Sequence, residues 1–357
     1  MVKKMLLPLS VLGLLVGLGC MTYFRTPTQQ DTGMTAKRLS SEHPSNLPTH
    51  KTSSIFVPYW ASSTAIDESY DVYYYFGVEP TKDGFVKDMY EQKREELMKN
   101  IPPVKRQVIL RMLNSDLNTT ILESVPTQKK LAKELSIFLG ENGYQGVVID
   151  LEISFTLREQ TQNEITQFVQ NLCTEIKDNY KSCSMLIYGD VAYRKRPYDL
   201  KKLGGIVDMI HIMAYDFHKA GGEPGPNFPL DRRSLASEGG LDYDYDFRQM
   251  ISDFLSYVPK EKIEVVFGMY GYDWVLNEQG SPLKTATAIS LNEIENTLGR
   301  HYPVKKNAAL EKSIEYTDER GRRHIVWYED EESARIKIEY LLKQGVGQVS
   351  FWAYSYF

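Results

Sequence analysis

An alternation constrains this chain most: eight short β-rich runs separated by longer stretches, several of them with helical periodicity. The runs are Ile55–Trp60, Val72–Val78, Gln107–Leu113, Gly146–Glu152, Ser184–Tyr188, Met209–Tyr215, Ile263–Tyr270 and Gln348–Tyr354. Between them, Lys87–Asn100, Thr127–Asn142, Glu159–Asn179, Asp246–Tyr257 and Glu332–Gln344 space their apolar residues as one face of a helix does. Strands alternating with helices pair in parallel through right-handed crossovers. Eight such units are what a closed (β/α)8 TIM barrel needs, with its active site at the C-terminal ends of the strands. The alternative is an open doubly wound sheet. A nucleotide-binding version would carry a Gly-rich phosphate loop after the first strand, and none follows Ile55–Trp60.

One interval is too long for a simple crossover. From Val275 to about Asp330, between the seventh strand and its helix, the reading is a small α+β insertion on the catalytic face. Within it Ser290–Leu298 reads as helical, and Ser313–Tyr316 pairs with His324–Tyr328 around Asp318-Glu319-Arg320-Gly321. The same stretch also suits a mobile lid.

Residues 1–53 stand outside the pattern. Lys3 and Lys4 precede the apolar run Met5–Gly19, which contains Pro8 and Ser10 and falls short of the ~20 residues that span a bilayer core. Residues 1–20 therefore read as a secretory signal. Its end, Val16-Gly17-Leu18-Gly19-Cys20, resembles a bacterial lipoprotein processing site, although Gly17 stands where Leu is usual. That implies lipidation at Cys20, with plain secretion or an uncleaved anchor as the alternatives. Residues 21–53, rich in Thr, Ser, Pro, Gln and His, form a flexible polar linker. Such a tether holds a domain on the order of 30 Å from its anchor. The expectation is a secreted, membrane-anchored bacterial lipoprotein, touching the membrane only through its lipid, with the barrel over residues 54–357.

A formal net charge of −5 gives no support for a nucleic-acid partner. Six His without ligand spacing give no metal site, and no cofactor motif is present. Monomer is the default expectation. Cys173 and Cys183 suit one disulfide in an oxidising compartment or two buried thiols.

The chemistry concentrates at strand ends. The fourth strand reads Tyr144-Gln145-Gly146-Val147-Val148-Ile149-Asp150-Leu151-Glu152. Alternation turns Val147, Ile149 and Leu151 toward the helices, and Gly146, Val148, Asp150 and Glu152 toward the barrel interior. Two carboxyls ~6–7 Å apart along a strand repel, so one stays protonated near neutrality, as a general acid requires. Alone, a D-x-E suits metal ligands or ordinary loop carboxylates as well. Three further strand ends join it: Met213-Ala-Tyr-Asp-Phe-His218, Gly268-Met-Tyr-Gly-Tyr-Asp-Trp274 and Phe351-Trp-Ala-Tyr354.

With these motifs in order, the chain from about Ile55 onward resembles glycoside hydrolase family 18, the chitinase family. The Tyr270–Trp274 segment and Val326-Trp-Tyr-Glu-Asp330 resemble its branch of spore-cortex and peptidoglycan-fragment glucosaminidases. The resemblance implies a retaining glycosidase acting on β-linked N-acetylglucosamine-containing glycans, chitin-like or peptidoglycan-derived, in which the substrate's own acetamido oxygen is the nucleophile. It implies Glu152 as the acid, Asp150 as partner of the acetamido N–H, and Tyr215 as donor to the acetamido oxygen. Asp216 would contact sugar hydroxyls and Trp352 would form the cleft floor. Met213, Tyr59, Tyr270 and Tyr272 are candidate cleft walls, with core packing as their alternative. The first two Asp positions of the strand-four motif hold Gln145 and Val148 here. Valine cannot hydrogen-bond, so Asp150 lacks a proton-sharing partner at that place. A non-catalytic glycan-binding barrel of the same fold is therefore the alternative function.

Overall fold

The computed structural model describes residues 52–61, 66–153, 159–231, 243–306 and 310–357. The expected signal, Cys20 and nearly all of the linker lie outside the described residues. The linker's expected last residues, Thr52 and Ser53, already pair with Gln348 and Val349 as the start of the first strand.

Eight parallel strands close into a barrel: β1 Thr52–Pro58, β2 Val72–Pro80, β4 Arg106–Met112, β5 Gly146–Leu151, β6 Ser182–Tyr188, β7 Ile210–Ala214, β8 Ile263–Gly268 and β14 Gln348–Trp352. They run in the order β1-β14-β8-β7-β6-β5-β4-β2, and a β1–β2 pairing completes the ring. A short strand, β3 Val86–Asp88, adds antiparallel to β2 at residues where the periodicity predicts the start of a helix. That helix occupies Glu91–Met98 instead.

Side-chain alternation sorts the strands into two cores. Val147, Ile149 and Leu151 pack outward in one cluster with Leu131, Leu135, Phe168 and Leu172 of the flanking helices Val125–Glu141 and Thr161–Asp178. Val148 faces inward with Phe56, Tyr74, Phe76, Ile109, Leu186, Met213 and Val266. The interior also has a polar storey near the strands' starts, where Glu264 accepts from Tyr74 Oη at 3.1 Å and lies 3.0 Å from His211 Nδ1.

Helix starts follow local capping chemistry, in which a side-chain oxygen takes up a free backbone N–H. Asp246 caps Phe247–Leu255 through Gln249 N at 2.7 Å, and Asp330 forms a capping box with Ser333 at Glu331–Gln344. Two further helices, Ser115–Leu122 and Leu200–Ile206, are too short for periodicity to reveal, yet Asn114 and Asp199 cap them. Cys173 and Cys183 are joined, with Cα atoms 5.3 Å apart, which decides between disulfide and thiols.

The insertion is an antiparallel five-stranded sheet of order β10-β9-β13-β12-β11. Its strands are β9 Tyr270–Leu276, β10 Thr287–Ser290, β11 Val304–Lys306, β12 Lys312–Thr317 and β13 Arg323–Tyr328. The expected pairing of Ser313–Tyr316 with His324–Tyr328 is present. The expected helix is three short turns, Leu291–Glu293, Ile294–Leu298 and Gly299–His301. The boundary needs correction: the insertion starts at Tyr270, not Val275, because β8 stops at Gly268 and the chain passes directly into β9. Both segments have strand-like alternation, so no pattern break marks the handover. Gly268 is required there, since a Cβ would lie 2.8 Å from Tyr215 Cβ and 2.6 Å from the Tyr270 ring.

Candidate active site

The C-terminal ends of β4 through β8 and β14 gather the candidate residues. At β5, Asp150 is 3% exposed, and its Oδ1 has no hydrogen-bond partner among the described residues. Burial pushes its carboxyl well above the usual range; Glu152 adds to this, and Arg111, its neighbour in the β4 register, opposes it. Glu152 follows the strand, half-buried, and accepts from Tyr188 Oη at 2.9 Å. Burial raises the Glu152 carboxyl too; the Tyr188 hydrogen bond lowers it, nearby Asp216 raises it, and Lys219 and Arg196 lower it. Desolvation thus outweighs like-charge repulsion in raising both carboxyls.

The backbone under Glu152 is pinned. Tyr198 Oη donates to Leu151 O at 2.7 Å and accepts from Ile153 N at 2.8 Å, gripping both sides of Glu152. Glu152 N donates to Met112 O at 3.0 Å. Tyr188 is steadied by the Arg196 guanidinium, 3.9 Å from its ring centre, and Arg196 pairs in turn with Asp190 at 3.0 Å.

Beyond β7, Asp216 adopts the left-handed conformation with φ 59. Its backbone N donates to Asn227 Oδ1 at 2.7 Å. Its carboxylate accepts from Tyr272 Oη at 2.8 Å and from Tyr270 Oη, both on the insertion strand β9. Burial raises this carboxyl as well, against the lowering effect of the two tyrosines.

Trp352 ends β14, its ring edge-on to Phe76 at 4.7 Å and Trp60 at 6.1 Å, and the Trp352–Ala353 peptide is cis. Met213, Tyr188, Tyr215 and Trp352 share one apolar cluster with Val148 at the barrel's centre. Tyr215 lies 6.0 Å from the Tyr270 ring and, with Trp352, also packs against the insertion's cluster of Tyr270, Tyr272 and Trp274. The structure thus brings Asp150, Glu152, Tyr215, Asp216, Trp352, Met213, Tyr270 and Tyr272 to one mouth. Tyr59 sits farther out: it stacks on Tyr90 at 3.8 Å and meets the site through Trp60, 4.7 Å away.

Sequence reasoning missed Tyr188, Arg111, Tyr198 and Asn227. The first two end or nearly end their strands, so the rule that singles out Glu152 applies to them as well. Tyr198 and Asn227 lie in loops, with no such signal. Among the described residues, no group of three or more His, Cys, Asp or Glu is arranged to hold a metal.

The mouth of this closed parallel barrel thus combines inward carboxyls with phenols and an indole. The model for glycosyl hydrolases family 18 matches residues 43–356, and the chain belongs to that family. The putative sporulation-specific glycosylase YdhD of Bacillus subtilis (strain 168) is 27% identical over 237 residues, covering 65% of this chain and 52% of that protein. The cortical fragment-lytic enzyme of Bacillus anthracis is 25% identical over 292 residues, covering 78% and 63%. The chain therefore matches less than two thirds of the length of either relative. Among solved structures, Ostrinia furnacalis Group IV chitinase shares the fold with a TM-score of 0.73 at 17% identity, over 85% of this chain and 92% of that one. The Bacillus cereus spore cortex-lytic enzyme SleL shares it at 0.67 and 23%, over 85% and 71%.

Proposed function

We propose that this chain hydrolyses glycans containing β-linked N-acetylglucosamine, chitin-like or peptidoglycan-derived, with retention at the anomeric carbon. The state of Glu152 supports this most: half-buried at the barrel mouth, oriented by Tyr188, its carboxyl raised by burial toward the range a general acid needs. In this reading Glu152 protonates the leaving glycosidic oxygen while the acetamido oxygen attacks the anomeric carbon. The C–O bond to the leaving group breaks as the oxazolinium ring closes. Water then reopens that ring, giving its proton to the Glu152 carboxylate. Asp150, with an unused oxygen in a buried setting, accepts from the acetamido N–H. Tyr215 aims the acetamido oxygen, Asp216 takes sugar hydroxyls, and Trp352 floors the cleavage point. Met213, Tyr270, Tyr272 and, at the rim, Tyr59 wall the cleft.

The test is product release from N-acetylchitooligosaccharides and wall fragments by the native chain and Glu152→Gln. Release by the native chain alone is expected; equal release by both removes Glu152 as the acid. One observation favours a second reading, a barrel that binds glycan without cleaving it. Val148 is fully buried among apolar groups beneath Asp150, where a polar partner would share its proton. That reading expects saturable binding without product, and turnover appearing in Val148→Asn.

We further infer that residues 1–20 direct secretion and that a lipid on Cys20 anchors the barrel to a bacterial membrane through the 21–53 linker. Labelling with a fatty acid, present in the native chain and lost in Cys20→Ala, is the expected result; no label on the native chain ends the anchor reading.

A further inference from the structure

A buried ionic cluster lies outside the cleft. Lys337, on helix Glu331–Gln344, Glu329 just before that helix, and Glu311 just before β12 are all at 0% exposure. Lys337 Nζ donates to Glu311 at 2.7 Å and also to Glu329, which Ser333 Oγ supports as well. Buried charges of this kind seldom stabilise a fold more than apolar residues of the same volume would. What they hold in place is therefore the informative question.

Glu311 holds a loop. Its two oxygens accept from the successive backbone groups Asn227 N and, at 2.8 Å, Phe228 N. Two N–H groups on one carboxylate fix the local chain direction. That orientation aims the Asn227 side chain, itself 3% exposed, at the base of the cleft. There its Oδ1 accepts from Asp216 N and its Nδ2 donates to Gly268 O at 3.2 Å. Asp216 needs such a hold, because a left-handed backbone is tolerated by aspartate rather than preferred.

We propose that Glu311 is a positioning residue for the cleft: clamped by Lys337, it seats the Asn227–Phe228 backbone and, through the Asn227 side chain, holds Asp216 beside Glu152. The Glu329-Asp330 pair singled out in the sequence thereby gains two uses, Glu329 holding Lys337 and Asp330 capping the helix that carries it. The catalytic part of this inference rests on the reading of Glu152 as the acid.

The experiment compares the full native chain with Glu311→Gln and Asn227→Ala. Amide hydrogen exchange is followed at residues 215–228, and the pH dependence of kcat/KM is measured on N-acetylchitooligosaccharides. In both variants exchange at Asp216 should rise about tenfold, a lost hydrogen bond's worth, while β4 and β5 keep their protection. Turnover should fall about 10–100-fold, the range expected when a cleft group shifts by an ångström or less. The alkaline limb should move to lower pH, since Asp216 no longer helps keep Glu152 protonated. A lower Tm with unchanged exchange at Asp216 and an unmoved limb would mean the cluster serves the fold alone, and would overturn the proposal. Asn227→Ala leaves the buried charges intact, so the test survives if Glu311→Gln fails to fold. Should the native chain cleave no glycan, the reading of Glu152 falls, and the exchange result by itself decides whether Glu311 seats Asp216.

Discussion

Glu152 and Asp216 meet in one cleft, where Asp216 helps raise the Glu152 carboxyl, yet different kinds of structure hold them. Glu152 directly follows β5, whose every residue is buried, and its backbone is gripped by Tyr198 and Met112. Asp216 sits just past the end of β7 in a left-handed turn, held by Asn227 from a following loop and by Tyr270 and Tyr272 from the insertion. A carboxyl fixed by its own strand takes its chemistry from burial. One fixed by distant segments depends on them, so events in the insertion reach the cleft through Asp216 and not through Asp150.

Breaking the strand-held side should have the largest effect. In Asp150→Asn a carboxyl whose ionised form burial disfavours becomes a neutral amide of nearly the same volume, so the fold should keep its Tm or gain slightly. Turnover should drop about 10²–10³-fold with KM little changed, as expected when a group acting on developing charge is removed. Thermal unfolding and steady-state kinetics on one preparation check both halves. Native-like kcat would mean that Asp150 is not part of the chemistry and that the comparison has its active half misplaced.

Tyr188→Phe should have a smaller and more specific effect. The Tyr188 hydroxyl stabilises the ionised form of Glu152 and so lowers its pKa. Removing it raises that pKa, and because the protonated form works in the proposed mechanism, the alkaline limb should extend upward. A limb that moves down instead would show that the hydroxyl's main partner is not the Glu152 carboxylate.

The two sides of the cleft also differ in how much of each is legible in the amino-acid sequence. β5 is legible to the residue, because Val147, Ile149 and Leu151 are aliphatic and their alternation leaves only one direction for Asp150 and Glu152. Asp216 is legible as a candidate through its place after Tyr215, but its support is not. Asn227 and Glu311 have no local pattern that announces a contact 84 residues apart in the chain. Tyr270 and Tyr272 read as walls because strand-like alternation runs unbroken from β8 into β9; only the pairing of β9 with β13 and β10 assigns them to a second sheet.

Tyr272→Phe sharpens the comparison on the other side. One of two phenols leaves the Asp216 carboxylate and Tyr270 remains, so turnover should fall only about 2–5-fold, near the worth of one net hydrogen bond. Adding Tyr270→Phe should cost more than the two single losses combined, because the last donor to a buried carboxylate is then gone. Strict additivity would mean that the two phenols act on Asp216 independently, and no loss in either variant would mean that Asp216 is held from the Asn227 side alone.

The smallest effect on turnover should come from Cys173→Ser with Cys183→Ser. The bridge joins helix Thr161–Asp178 to the start of β6, whereas Tyr188 ends that strand. At a rise of ~3.3 Å per residue the bridge therefore lies about 17 Å from the cleft end of β6. Its cross-link spans a sequence separation of 10, so chain-entropy reasoning gives about 2–3 kcal/mol of stability, felt mainly in the unfolded chain. Denaturant unfolding should register that loss while kcat and the pH limbs stay as in the native chain. A change in the alkaline limb would mean that β6 transmits strain from its buried start to Tyr188. The rigid side of the cleft would then be open to distant perturbation after all, just as the insertion-held side is.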